Sequence, residues 1–210
     1  MSYQWQGPWQ PMRPSDEQPP HSAPVLGRGR HLNPRDGACL MEYVSFLSGG
    51  PFTDTPACTD RLVAIVAILA NDNVAGPRRQ ELIRYAPALA AAGPRTDRER
   101  VMTLIAVLDV AARYSGSTEI TRLRRRAERR LVRLTRRPGR TGWKARLDEA
   151  VWLPGTARRS LESAVAALAV LPRDHRDKAL IAMLDAALAR PSSVRTSGRT
   201  PAPRSHAVAG

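Results

Sequence analysis

Cysteine, lysine and aromatic side chains are all scarce in this chain. Cys39 and Cys58 are the only cysteines among 210 residues, too few for the disulfide framework of a small secreted domain. Lys144 and Lys178 are the only lysines, so 31 of the 33 basic residues are arginine. Aromatics make up 5%, which leaves few side chains for base-stacking platforms. No apolar run approaches the roughly 18–20 residues that a membrane span needs, so no membrane contact is expected. The opening MSYQWQGPWQPMRP lacks a basic stretch followed by an apolar one, which predicts no secretory signal and a cytoplasmic location. Strand patterns are missing, since β-branched residues fall mainly within helix-period runs. Ser/His/Asp constellations, a phosphate-loop glycine pattern and a dinucleotide fingerprint are missing as well. The sequence therefore points to no catalytic residue, no cofactor and no metal, and favours a non-enzymatic protein. Of the histidines, His21, His31 and His206 fall in segments read as disordered, and His175 falls in the first turn of the last helix with a surface role.

What is abundant is positive charge, and it is concentrated. The chain carries a net +14. Residues 122–146 hold 12 basic side chains against the single acid Glu128, a net +11, while every stretch from residue 31 to 121 and from 147 to 190 balances to within one charge. A codon bias toward arginine would act everywhere, so the clustering requires its own explanation.

Helical periodicity organises the middle of the chain. Residues 1–34 are rich in proline without apolar periodicity and read as a disordered arm, in which Trp5 and Trp9 are either partner anchors or inert. An all-α domain is expected over 35–190, as a single helical bundle of about six to eight helices. Residues 191–210 read as a disordered basic tail. Asp36 is the expected cap of a first helix carrying Leu40, Tyr43, Val44 and Leu47. Leu62 to Val74 is apolar nearly all round, the pattern of a bundle's central helix, with Thr59 or Asp60 as its cap. Gly76-Pro77 ends it and seeds another helix, which Pro87 should break or kink. Thr96 and Glu99 form a capping box for a helix carrying Val101, Leu104, Ile105 and Leu108, closed by Ser115-Gly116-Ser117. A basic helix follows from Thr118 to Arg136, stopped by Pro138-Gly139. Trp143 opens a short helix ending at Pro154-Gly155. Thr156 and Asp174 are the expected caps of the last two helices.

The basic helix is the sharpest feature. Ile120, Leu123, Ala127, Leu131 and Leu134 recur at steps of 3, 4, 4 and 3, one narrow stripe able to dock on a bundle. The remaining circumference carries Arg122, Arg124, Arg125, Arg126, Arg129, Arg130, Arg133, Arg136 and Arg137, with Arg140 in the loop beyond. These ten arginines are the candidate polyanion-binding residues. The planar guanidinium fork suits phosphate, and nucleic acid comes first among polyanions, bound through its backbone with steep salt dependence. Three other readings remain: a solvated face, pairing with Asp109, Asp148, Glu149 or Glu162, and a docking surface for an acidic protein. The stripe is too narrow for a membrane-surface helix. No helix-turn-helix, cysteine finger or aromatic platform accompanies it.

A second segment, 36–60, gathers Cys39, Glu42, Asp54 and Cys58. Cys39 and Glu42 share a helix face, and Cys58 precedes a helix N-terminus, where the dipole lowers a thiol pKa. Two thiols and two carboxylates are a conceivable enzyme, redox or divalent-metal site, but the spacing lacks paired ligands; the competing reading is a buried structural cysteine. The residues Gly37, Cys39, Leu40, Met41 and Glu42, then Gly49, then Asp54, Pro56, Cys58 and Thr59, then Asn71 and Asp72 resemble the N-terminal motif of a family of uncharacterised actinobacterial proteins. The resemblance covers about a fifth of the chain. It implies an α-helical cytoplasmic protein and no known activity. Two departures matter. Gly50 stands where the family often has Glu, and Asp60-Arg61 stands where it often has His-Pro. A family metal site using that histidine would lack a ligand here. Asn71-Asp72 is then read as a folding device that caps a helix or bonds the 49–58 loop.

Overall fold

Side-chain caps set the starts of several helices, although not always at the residue the sequence suggests. The computed structural model describes residues 23–136 and 143–191. Among the described residues, seven helices of 8 residues or more form an all-α bundle. They are α1 (Leu40–Leu47), α2 (Arg61–Asn73), α3 (Asp97–Ser115), α4 (Thr118–Arg136), α5 (Trp143–Trp152), α6 (Arg158–Leu168) and α7 (Arg173–Leu188). No helix is long and apolar enough to cross a membrane among the described residues. The Trp5/Trp9 arm, the Pro138-Gly139 stop and the 191–210 tail beyond Pro191 lie outside the described residues.

Several starts differ from expectation. Asp36 does not cap α1; it ends a short 3-10 turn, Pro34–Asp36, capped by Asn33. Cys39 caps α1, its Sγ accepting from the Glu42 amide while the Glu42 carboxylate accepts from the Cys39 amide. The reciprocal geometry of a capping box, with Cys in the role of Ser, sets the start. Asp60 caps α2 and Thr96 caps α3 through its box with Glu99, both as expected. Gly116, at φ 63°, closes α3 in the left-handed region that favours glycine. Pro77 seeds the short helix Gly76–Arg79, and a 3-10 turn, Gln80–Tyr85, leads to Ala86–Ala90 with Pro87 in its first turn.

Pro154-Gly155 does not terminate α5. The backbone widens into a π-helical turn, Leu153–Ala157, and runs straight into α6 without a side-chain cap. Proline has no N–H to lose at the first turn of a new segment, and the wider turn absorbs it. Thr156 is therefore inside the turn rather than capping α6. Asp174 likewise lies in the first turn of α7 and makes no cap bond.

The hub is α3, not α2. Its buried face of Leu104, Val107, Leu108 and Ala111 packs against α4, α6 and α7, while α2 packs against α1, α6 and α7. The apolar positions of α2 beyond that face, Ile65, Ile68 and Leu69, are only partly covered.

Residues 23–34, expected to be disordered, are placed against the helices. Pro24 and Leu26 are buried. Leu26 forms an isolated parallel bridge with Ala38, and its amide and carbonyl bond the Gln80 side chain at 3.1 and 2.8 Å. Burying Leu26 and satisfying its backbone compensates the ordering entropy that proline-rich composition would otherwise leave unopposed.

Asp60 joins the layers. Its carboxylate is 1% exposed. Oδ1 accepts from the Leu62 amide at 3.0 Å, and Oδ2 accepts from the Arg95 amide at 3.0 Å and from Arg100 Nε at 2.9 Å. Arg95, its ionisation disfavoured by burial, donates onward to Thr103 Oγ1 at 2.5 Å and to the Leu188 carbonyl at 3.3 Å. One carboxylate thus ties the start of α2 to α3, and through Arg95 to the end of α7. Removing it takes their carboxylate partner from the Leu62 and Arg95 amides and from Arg100 Nε, and breaking such a buried pair costs about 3–5 kcal/mol. Asp60→Ala should lower the urea midpoint accordingly, and Asp60→Asn should fall between it and the native protein; equal midpoints for all three would refute this role.

Candidate functional site

The orientation of α4 follows from its stripe. Ile120, Leu123 and Ala127 are buried on α3, and Leu131 and Leu134 are partly covered. Ser117 Oγ accepts from the Ile120 amide at 3.4 Å and helps set the start of the helix. With that face inward, the arginines must point elsewhere.

The ten candidates separate into groups. Arg125, Arg126, Arg129, Arg133 and Arg136 are exposed, and no acid among the described residues lies within ion-pair range of them. Arg122 is exposed and sits 3.6 Å from Glu119, the kind of surface pair that contributes little. Arg124 is shared between Asp109 at 3.6 Å and Glu128 at 3.1 Å. Arg137 and Arg140 lie outside the described residues.

Arg130 corrects the expectation of a uniformly open face. It is 9% exposed, its Nη2 donates to Asp148 Oδ2 at 3.0 Å, and its guanidinium carbon stands 4.5 Å from the centre of the Trp152 ring. The ion pair and the cation–π stack fasten α5 to α4. Arg130 Nε is buried with no partner among the described residues. Among the described residues, the expected pairing with Asp109 and Asp148 thus holds for Arg124 and Arg130 alone, while Glu162 pairs instead with Arg158 at 2.8 Å; the Glu149 side chain lies outside the described residues.

A cleft of about 430 Å³ opens between α4 and the α5–α6 junction. Arg126, Arg129, Arg130 and Arg133 line one side, spaced i, i+3, i+4 and i+7 so that all four project from one face. Asp148, Val151 and Trp152 of α5, Thr156 of the π-helical turn and Ser160 of α6 line the other. Beside it, Trp143, Leu147 and Val151 recur at steps of four along α5 and are 68%, 53% and 71% exposed.

The cysteine segment is built differently from a reactive site. Glu42 is fully buried and accepts from the His31 amide at 2.9 Å and the Cys39 amide at 2.8 Å, with His31 Nδ1 3.0 Å from Oε2. A Cβ on Gly27 would meet His31 Nε2 at 2.5 Å, so glycine there makes room for the ring. Asn71 Nδ2 donates to the Gly27 carbonyl at 2.8 Å, and Asp72 Oδ1 accepts from the Gly29 amide at 2.9 Å. Asn71 and Asp72 therefore hold the 27–29 strap, not the 49–58 loop. Cys39 is buried, and burial pushes its thiol up to about 12, opposite to an activated nucleophile. Cys58 is partly exposed, 3.7 Å from Ser48 Oγ, and Asp54 is partly exposed. Among the described residues, no three His, Cys, Asp or Glu side chains converge as a metal site. The structure joins Cys39 to Glu42 and Asn71 to Asp72, and does not assemble the four-residue constellation.

The chain matches no family model, no curated protein and no solved structure. Sequence reasoning missed His31, Trp152, Thr156 and Ser160. Gly27, Gly29 and Gly37 flanking His31 were the available signal for the strap. Nothing in the local pattern marks the cleft, whose two sides come together only through packing.

Two measurements check this geometry. The Cys39 thiol keeps its proton in the fold to about 12, whereas its ordinary value is 9.0. The native state therefore binds more protons between those values, and stability should fall as pH rises from 9.0 toward 12. Cys39→Ser retains an N-cap oxygen and should flatten that alkaline limb in urea titrations; an unchanged limb would refute the assignment. Arg130→Ala should free α5, read as a red shift of Trp152 emission and faster amide exchange over 143–152 with α3 unchanged. Protection that stays intact in α5 would show that the Arg130–Asp148–Trp152 contact does not hold it.

Proposed function

We propose that this protein binds a polyanion, and nucleic acid in particular, through the exposed arginine face of α4. The observation that carries the proposal is the row Arg125, Arg126, Arg129, Arg133 and Arg136, exposed and without an acid in reach among the described residues. Arg126, Arg129, Arg133 and Arg136 alone extend over about 15 Å of helix. Like charges at i,i+4 cost a helix about 0.2–0.5 kcal/mol per pair, and phosphate oxygens would relieve that repulsion. The contacts reach the backbone and not base edges, so the reading implies weak sequence preference. No catalytic role belongs to it, and a cytoplasmic setting fits it.

A second reading has its own observation. Leu147 and Val151 are exposed one turn apart on α5 beside the arginines, an apolar surface that suits an acidic amphipathic segment of a partner protein.

Retention on duplex DNA should fall with salt at a log–log slope of about −4.5 for five phosphate contacts. Replacing Arg125, Arg129, Arg133 and Arg136 with Glu should abolish retention and leave helix content unchanged. Elution together with a neutral control of similar size would exclude the nucleic-acid reading.

A further inference from the structure

The cleft beside α4 has the features of a small-ligand site in addition to a flat electrostatic face. We infer that it binds a phosphate monoester carried on a mononucleotide-sized body. The inference rests on α4 being an anion-contacting surface and assigns the chemistry that its recessed part selects.

Charge sets the ligand class. Arg126, Arg129 and Arg133 are uncompensated among the described residues, whereas Arg130 is already balanced by Asp148. The three free guanidiniums span two turns of one helix face, about 10 Å along the axis, so one compact group can meet more than one of them. A phosphomonoester near neutral pH carries a charge of about −1.5 to −2 and three strong acceptor oxygens. It matches that density better than a single carboxylate, and planar guanidinium forks bind it bidentately.

Shape sets the body. A volume of about 430 Å³ is far more than one phosphate fills and falls within the range of small-molecule sites. The wall includes Leu104, Leu123, Ala127, Val151 and Trp152, apolar surface suited to the uncharged part of a nucleotide. Arg130 is poised to shape the mouth. Its Nη2 and ring-stacking contacts fix α5 at its distance from α4, so the cleft exists before a ligand arrives and its formation costs no rearrangement.

The π-helical turn is a third, independent feature. It brings Thr156, exposed at the rim, into line with Ser160 one turn on in α6. Ser160 Oγ already donates to the Thr156 carbonyl at 2.8 Å, which leaves the Thr156 hydroxyl as the rim donor. Turns of this kind recur at functional sites, and here the turn sits opposite the arginines.

Free mononucleotides and the phosphorylated end of a strand present the same chemistry. Calorimetric titration of the full chain would compare a nucleoside monophosphate, its nucleoside and inorganic phosphate. A parallel arm would compare oligonucleotides of one sequence with a terminal phosphate or a terminal hydroxyl. The phosphorylated member of at least one pair should bind about tenfold tighter than its phosphate-free counterpart, and the nucleotide should also bind tighter than inorganic phosphate. Gain in the first pair alone identifies free nucleotides, and gain in the second alone identifies strand ends. Thr156→Asp, which adds a repelling carboxylate at the rim, and Val151→Trp, which fills the mouth from an exposed position, should each erase the gain. Both should leave salt-dependent retention of hydroxyl-ended duplex as it was. Equal binding within both pairs, or a gain that survives both variants, overturns the inference. Loss of duplex retention in the native protein with the gain intact would instead remove the extended arginine row and leave the cleft.

Discussion

The buried carboxylate of Asp60 is the constraint on which the rest of the molecule depends. It serves three donors at once: the first turn of α2, the backbone before α3, and the Arg100 side chain of α3. A carboxylate taken out of water is tolerated only when its oxygens are fully engaged, so all three elements must meet at one point. Arg95 extends the same network to the end of α7. With α3 fixed at the centre, the helices that pack on it inherit their positions.

Of those, α4 is the most consequential. A 19-residue helix with eight arginines gains nothing from its own charge pattern. It persists because Ile120, Leu123 and Ala127 are buried on α3, and tertiary packing of an amphipathic face outweighs unfavourable local terms. Arg133 and Arg136 do gain somewhat from the helix C-terminal dipole. The fold neutralises Arg124 and Arg130 and leaves a contiguous set of guanidiniums uncompensated among the described residues. Two adjacent environments result: an open row along α4, and a cleft where α5 and the π-helical turn face it.

The cysteine-carboxylate segment is architecture. Glu42 accepts backbone amides from two directions and meets His31, while Asn71 and Asp72 seize Gly27 and Gly29 from below. Together they convert a proline-rich stretch into a strap. Cys39 and Glu42, two of the four residues that read as a redox or metal set in one dimension, are spent on capping and on satisfying backbone amides in three. Cys39 illustrates it: its burial, with the Glu42 carboxylate beside it, favours the protonated thiol, the opposite of what nucleophilic or ligand chemistry needs.

The sequence determined the fold class and most helix boundaries on its own, because 3.6-residue periodicity, the Thr96–Glu99 box and the Gly116 stop are local signals with local consequences. It also determined that charge would concentrate on one helix, since the apolar stripe and the arginines occupy different faces of the same turn. Tertiary structure decided three further matters. Residues 23–34 are held in place because their partners, Gln80, Asn71 and Asp72, lie more than 40 positions away. The arginines divide into paired and free because Asp109 and Asp148 approach from neighbouring helices. The cleft exists because Pro154-Gly155 widened a helix instead of ending it, which keeps α5 and α6 on one course and sets Trp152 and Thr156 opposite α4. Periodicity describes one helix at a time. Which side chains face one another across two helices depends on how buried polar groups find partners, and that is settled only when the whole core closes.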